Sequence, residues 1–582
     1  MASNDLHEHQ AVDRTHYSDA IIESRARNKI IVAGPGTGKS FTFKKVLETK
    51  SGKNLALTFI KNLANDLREE LGELAESHTF HAYCRKLLHR TPVDGIDTDF
   101  RYFPKLPLLI TSDAQLLNKN YTEKDIENSF QLLSEDDKVI FFIEQSNYYN
   151  AVSHNDAVYR VLKYFQSARG DLPVFSQVVV DEYQDFNPLE VAFINELSKT
   201  SPILIAGDDD QAIYDFKNAS PEHIRQKFNE KDFVKFELPY CSRCTEVIIK
   251  AVHNIISKAL FIGKLQDRIQ KRYICFMPKK ERESQENPKI IHACCSVHRP
   301  KAPFIAKFIE MEINKIPQFE LEHARENGYP CVLIIGPSHY NDQIYKYLKL
   351  HFTGIDFKEK KDTAIDIFDG YKILIANKKS NLGWRIILEY ADSEYLQATI
   401  KTAYENKQAL NDVISNKFKH LHLEVVSILE KIRDGSPISK DEQVKVTEFC
   451  GKSIEDIQRV FGVDIEDIEN GNKTDEENAT NAIKITTING SKGLSADYVF
   501  IVGMNKTSNS HRGFPKNSSD PTDNEICQLI VGMTRTRKRC YLVSNRSFGK
   551  VYNIDSSVFI KWIDPSLIES ITVNAEYFKN HE

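Results

Sequence analysis

The sequence predicts an α/β protein built on parallel sheets, and three observations carry the prediction. Asn28 to Val32, Val178 to Val180 and Ile203 to Ala206 are short, apolar, largely β-branched runs of the kind a parallel sheet buries on both faces. Each ends abruptly: the first in AGPGTGKS, the second in Asp181 and Glu182, the third in Gly207 and then Asp208 to Asp210 with Gln211. Such carboxyl ends are where an open α/β sheet presents ligand-binding residues. The first run is also followed by Phe41, Phe43, Val46 and Leu47, an apolar stripe for the helix that packs back on the sheet.

Ala33 to Ser40 is a phosphate loop in the strand, loop and helix setting that such a loop demands. Gly34, Gly36 and Gly38, with Pro35 and Thr37 between them, let the backbone turn until its N–H groups converge on phosphate oxygens at a positive helix end. Lys39 is expected to hold the β and γ phosphates, and Ser40 to offer its hydroxyl to Mg²⁺. Ala33 stands where the strict pattern has its first glycine.

The other two strand ends lie in one segment, Val178 to Ala219, which reads VVVDEYQDFNP and then SPILIAGDDDQAIYDFKNA. Core burial explains its strands but not its acidic tips. A solvated loop, in turn, has no need of Tyr214 and Phe216 beside those tips.

Further motifs follow in order. They are LALTFIKNLANDLREEL (Leu55 to Leu71), SHTFHAYCRKLL (Ser77 to Leu88), ELPYCSRCTEVI (Glu237 to Ile248), ITTINGSKGLSADYVFIVG (Ile485 to Gly503) and LIVGMTRTRKRCYLV (Leu529 to Val543). With the phosphate loop, this series resembles superfamily 1 helicases of the UvrD, Rep and PcrA type, from Ile30 to about Val543. The resemblance implies two RecA-like parallel-sheet lobes of the P-loop NTPase class with two mainly helical insertions.

It also implies Mg²⁺-dependent ATP hydrolysis, with ATP and Mg²⁺ as cofactors. Asp181 is then a Mg²⁺ ligand with Ser40, Glu182 the general base for water, and Gln211 a γ-phosphate sensor. Arg243 and Arg535 are cationic clamps arriving from the far side, Arg535 on the second lobe. Phe59, Tyr214 and Phe216 match positions whose rings stack on successive bases. Lys61, His81 and the cluster Arg537, Lys538 and Arg539 are expected near phosphates, and Lys217 is expected among the DNA contacts. Phe216 and Lys217 stand where the family has tryptophan and arginine. Ser242, Ser495 and Asn489 replace its adenine-stacking tyrosine, its nucleotide-side glutamate and its coupling histidine. Gln10 lies 29 residues before Lys39, farther than an adenine-reading glutamine should. Phosphate chemistry is kept while base recognition is loosened, which predicts relaxed nucleotide selectivity.

The 582 residues are 41% hydrophobic and carry 77 basic against 82 acidic side chains, net −5, so attraction to nucleic acid must come from a local groove. No apolar run is long enough to cross a membrane and no leading run resembles a signal peptide, so a cytoplasmic location is expected. Ten cysteines at irregular spacing fit a reducing compartment. Cys241 and Cys244 form a CxxC, but no second pair at zinc-finger spacing accompanies it. His7 with His9 and His420 with His422 read as solvent-facing pairs.

Lobe 1A is expected over residues 1–90 and 171–265, with helical insertion 1B over 91–170. Lobe 2A is expected over 266–390 and 482–560, with strands near Lys289 to Ala293, Cys331 to Ile335, Ile373 to Ala376, Ile485 to Ile488, Tyr498 to Gly503 and Cys540 to Ser544. Lys271 to Pro288, charged and punctuated, reads as the crossover between lobes. Residues 391–481 read as a small helical insertion at the 2B position, and 561–582 as a C-terminal tail with no room for a nuclease domain. By resemblance the chain translocates 3′ to 5′ on single-stranded DNA, in repair, replication or defence against foreign DNA. A 2B insertion shorter than usual favours translocation over duplex unwinding. The expected partners are single-stranded DNA and duplex junctions, with the chain a monomer or part of a larger complex. Two alternatives share the same motifs: an ATP-gated nucleic-acid sensor that recruits a nuclease or other effector, and a remodeller that strips proteins from DNA.

Overall fold

A computed structural model describes residues 2–93, 95–167, 171–357, 364–461, 482–508 and 513–581. Its first sheet has six parallel strands in the order Glu76–Thr79, Asn54–Thr58, Gln177–Val180, Ile203–Gly207, Asn28–Val32, Phe233–Glu237. The four inner strands are buried almost throughout, as the run of β-branched residues dictates. Helices Lys39–Glu48 and Pro188–Thr200 lie against this sheet through Phe43, Val46 and Leu47 and through Leu189, Phe193 and Ile194. The carboxyl ends of the Asn28, Gln177 and Ile203 strands therefore meet on one edge.

The second sheet has seven parallel strands, ordered Ile355–Phe357, Ile483–Thr486, Val332–Ile335, Ala496–Val502, Thr536–Asn545, Ile290–Cys295, Ile568–Val573. Two expectations are corrected here. Ile373 to Ala376 is no strand but the end of helix Ile367–Ala376, and Ile355–Phe357 takes the sheet edge instead. A short apolar run does not by itself distinguish a buried strand from a buried helix turn. Residues 561–582 are no tail: Ile568–Val573 pairs with Ile290–Cys295, and Phe578 of helix Ala575–His581 joins the lobe core.

The crossover also folds. Ile274–Cys275 pairs with Tyr240–Cys241, and Met277–Glu286 is helical, so Tyr273 is pressed onto the first lobe. Between the lobes, helices Leu106–Leu116, Glu123–Gln131 and Asp137–Tyr149 share one apolar core with the helices from Ile367 to Phe461. The second helical body thus begins at Ile367 rather than at 391, and is larger than expected. The last part of the 2B interval, residues 462–481, lies outside the described residues. Arg385 seals this joint: fully buried, it pairs with fully buried Asp113 at 2.5 Å and donates to Ser112 Oγ at 3.1 Å. Burying an ion pair this deeply is tolerable only with such saturation of its donors.

Candidate nucleotide site and nucleic-acid face

Ala33 continues the Asn28–Val32 strand by donating its N–H to Gly207 O at 3.1 Å, and the chain then turns through Gly36 (φ 72°) and Gly38 (φ 96°). Both angles are left-handed and favour glycine. A Cβ at Gly36 would also overlap Arg243 Cβ, so the loop and the Arg243 turn are in direct contact. Gly38 caps the helix beginning at Lys39, which aims its positive end into the loop. Thr37 Oγ1 donates to Gly34 O at 2.9 Å, and Lys39 Nζ lies 3.4 Å from Ala33 O and 4.0 Å from Glu182 Oε1. Pro35 O accepts from the Tyr273 hydroxyl at 3.0 Å. Ser40 is half-buried at the start of the helix.

Asp181 and Glu182 end their strand facing this loop. Glu182 has φ 54°, a conformation that a non-glycine side chain adopts only when its surroundings impose it. Gln184 Nε2 donates to its Oε2 at 2.6 Å. Burial and then the neighbouring Glu182 charge raise Asp181 above the carboxylate range, with Lys39 opposing. Glu182 itself is lowered: burial opposes ionisation, but Lys492, Lys39 and Arg535 outweigh it. Lys492 Nζ sits 3.3 Å from Glu182 Oε2, pairs with Asp185 and donates to Gln211 O at 2.6 Å.

Gln211 joins the two lobes. Its Nε2 donates to Asp208 Oδ2 at 2.7 Å, and its Oε1 accepts from Arg535 at 2.9 Å. Burial and then the nearby Arg243 guanidinium lower Arg535 to about 10, so two arginines converge here against their mutual repulsion. Asp208, Asp209 and Asp210 all pair with Lys271, at 2.7 to 2.8 Å, while Arg268 and Arg225 add further pairs. The acidic triplet is therefore a neutralised hub that fixes the Gln211 loop.

The residues present fit a magnesium nucleotide. Lys39, Arg243 and Arg535 bring three cations together, with Arg243 lowering Arg535, and Asp181 is a hard oxygen donor beside a second carboxylate, the pattern a divalent cation relieves.

On the adjoining face, Phe59 and Tyr214 meet edge to face at 5.3 Å, and Tyr214 and Phe216 lie 5.6 Å apart. Tyr214 is nearly buried, and its hydroxyl donates to Asn489 O of the second lobe at 2.9 Å. Phe216 is 63% exposed and offers an open ring. Lys217, expected to contact DNA, turns inward instead: its Nζ lies 2.9 Å from the Phe59 ring centre and 3.3 Å from Glu190 Oε2, and it is buried. The Glu190 carboxylate on helix Pro188–Thr200 draws it there. His81 is half-buried and held well below its usual range by burial and by His154, which keeps it neutral. Lys61 is exposed at the start of helix Lys61–Leu71. Arg537, Lys538 and Arg539 are occupied by Ser495, by Glu320 with Asp497, and by Asn287, rather than forming a phosphate-facing cluster. His422, read as solvent-facing, is buried against Tyr371.

Two residues of this site escaped sequence reasoning. Lys492 stands inside the KGL motif, the signal that could have found it. Tyr273 lies in a segment read as linker, and nothing in its neighbourhood signalled a place on the phosphate loop.

Two parallel-sheet lobes with a phosphate loop on one and an arginine reaching in from the other define a P-loop nucleotide hydrolase. A model of an AAA domain matches residues 18–217, and one of the UvrD-like helicase C-terminal domain matches residues 361–547. Over 95% of both chains, the protein is 24% identical to a DNA helicase II of Rickettsia typhi. It is 23% identical to the ATP-dependent DNA helicase Rep of Buchnera aphidicola subsp. Schizaphis graminum, over 88% of this chain and 90% of the other. It is 22% identical to the ATP-dependent DNA helicase PcrA of Staphylococcus aureus, over 93% and 85%. The chain belongs to the UvrD/Rep/PcrA-type superfamily 1 helicases, and is an ATP hydrolase.

Proposed function

We propose that this chain is an ATP-driven motor on single-stranded DNA, moving 3′ to 5′. The observation that carries the reading is the path from Gln211, held by Arg535, to Tyr214, held by Asn489 O, within a span of four residues. A change at the γ phosphate is thereby coupled to both lobes and to the rings that would grip bases. Lys39 binds the β and γ phosphates, Glu182 orients the attacking water and takes its proton, and Arg243 and Arg535 offset charge on the transferred group. Ser40 and Asp181 are the residues that would hold Mg²⁺, which neutralises phosphate charge when bound. Phe216 is the primary base-stacking ring.

The test is a stopped-flow translocation assay on end-labelled strands with Lys39→Ala as control. Arrival times at the 5′ end that grow with strand length support the motor; DNA-stimulated hydrolysis without movement rejects it. The core shared by the two helical insertions favours a second reading, an ATP-gated grip that recruits a nuclease or other effector. Under it the ATPase rate is independent of strand length.

A further inference from the structure

Cys241 and Cys244 bracket Arg243 in a Cys-Ser-Arg-Cys turn that the fold presses onto the phosphate loop. Ser242 N–H donates to Gly36 O at 2.8 Å and Cys241 Sγ to Pro35 O at 3.2 Å. The sulfurs face each other: Cys244 N–H points at Cys241 Sγ at 3.3 Å, and the Cys244 thiol is hydrogen-bonded to the same sulfur. The Tyr273 hydroxyl lies 3.2 Å from Cys241 Sγ and 3.7 Å from Cys244 Sγ. The backbone N–H groups of Arg243 and Cys244 thus point at one sulfur, with the Tyr273 hydroxyl and a second thiol in reach and helix Glu246–Phe261 beginning two residues on. Such surroundings stabilise a thiolate beside a resolving thiol. Burial opposes ionisation of Cys241, yet the bonds from Cys244 and Tyr273 bring its pKa down to about 6. The nucleotide chemistry uses neither sulfur.

We propose that Cys241 and Cys244 are a redox-active dithiol, which peroxide oxidises to an intramolecular disulfide that holds Arg243 off the nucleotide and stops hydrolysis. The proposal rests on the ATP-hydrolase reading only for its consequence, not for the disulfide. In the first step the Cys241 thiolate attacks hydrogen peroxide. An S–O bond forms, the O–O bond breaks, and hydroxide leaves to be protonated to water. The Cys244 thiol then attacks the sulfenic sulfur, the S–S bond forms, and the oxygen departs as a second water with the thiol proton. The two sulfurs together lose two electrons and the peroxide gains them; a small dithiol reverses the step by exchange.

The pair is buried in the closed molecule, and the second lobe covers Cys244, whose Sγ lies 3.5 Å from Thr534 O, next to Arg535. Lobe opening uncovers Cys244, so a non-hydrolysable ATP analogue that holds the lobes together slows formation of the disulfide. Because Arg243 lies inside the ring the disulfide closes, its backbone loses the freedom to follow the nucleotide as the lobes close.

The experiment treats the reduced full-length protein with hydrogen peroxide. It follows ATP hydrolysis and, by peptide mass spectrometry after thiol blocking, the Cys241–Cys244 disulfide. Hydrolysis is expected to fall in proportion to the disulfide, to return with dithiothreitol, and to survive the same treatment in Cys244→Ser. The fully oxidised protein should lose about 10³ in rate, the scale of a lost arginine finger. Equal inactivation of Cys244→Ser, a disulfide without loss of rate, or no disulfide between these two cysteines would each overturn the proposal. If Cys244→Ser does not fold, protection of the wild-type disulfide by the ATP analogue replaces it, and absence of protection counts against the proposal. If the reduced protein hydrolyses no ATP, the motor reading fails while the mass spectrum still decides the dithiol.

Discussion

Arg535 of the second lobe donates to Gln211 Oε1 of the first at 2.9 Å, and both side chains are buried. The bond ties lobe closure to the loop that leads to Tyr214. If Arg535 is the proposed clamp on the transferred phosphate, Arg535→Ala should lower kcat for ATP by ~10³ to 10⁵. Gln211→Ala should keep nucleotide binding but reduce the stimulation of hydrolysis by DNA. Steady-state ATPase rates with and without single-stranded DNA distinguish the two; equal stimulation in Gln211→Ala and wild type would refute the coupling role.

Lys492 offsets two carboxylates at once, buried Asp185 and half-buried Glu182. Lys492→Ala leaves both without their nearest cation, which should cost about 3–5 kcal/mol of stability, as breaking a buried pair does. Turnover should drop by ~10² or more as Glu182 loses its setting. Lys492→Arg, which keeps the charge, should recover part of both in thermal melts and in ATPase rate.

Phe216 and Lys217 are adjacent in sequence and opposite in role. Phe216→Ala should weaken single-strand affinity by ~1–3 kcal/mol, the worth of one stacked base, with the melting temperature unchanged. Lys217→Ala should do the reverse, leaving Glu190 buried and unpaired and lowering stability by about 3–5 kcal/mol. Fluorescence anisotropy on a labelled strand and thermal melts separate them. A large affinity loss in Lys217→Ala without destabilisation would restore the DNA-contact reading.

The inner strands of both sheets were legible because a β-branched run that stops at glycine or a carboxylate has few other homes in an α/β fold. The phosphate loop and Arg535 were legible because phosphate chemistry restricts residue type and order. Ile373 to Ala376 misled because four apolar residues carry no period, and only packing against helix Asn381–Leu388 decides them. Lys217 misled because sequence states a charge but not the carboxylate, 27 positions away, that turns it inward. Tyr273, Ile568–Val573 and the Asp113–Arg385 pair depend on contacts between segments far apart in the chain, which local pattern does not encode.

His422 is buried beside Tyr371, with 2.7 Å between the tyrosine hydroxyl and Nδ1, and burial lowers its pKa to about 4. The unfolded chain binds a proton there below about pH 6.5 while the folded chain stays neutral to about pH 4. Stability therefore falls as pH drops through that window, by at most about 3 kcal/mol from this group. His422→Gln keeps an acceptor for Tyr371 without the titration. Its loss of stability between pH 7.5 and 5, read by denaturant midpoints, should be smaller than that of the wild type. Identical losses would show that His422 is not the group responsible.

Asp113 and Arg385 join the two helical insertions through a fully buried pair, which Tyr149 extends by donating to Asp113 at 2.6 Å. A swivel of one insertion about the other would expose both charges and part of the common core, so the two should move as one body. Donor and acceptor dyes at Lys124→Cys and Lys440→Cys should give one transfer efficiency, unchanged by DNA or nucleotide. Arg385→Ala should broaden it and cost about 3–5 kcal/mol, because Asp113 is left buried without its cation. Replacing both by apolar residues, Asp113→Leu with Arg385→Met, should recover most of that stability and the single efficiency, since the charges set geometry more than they add stability. Two efficiencies that exchange on DNA binding in the wild type would mean that the joint opens, and that the second insertion swivels while the motor works.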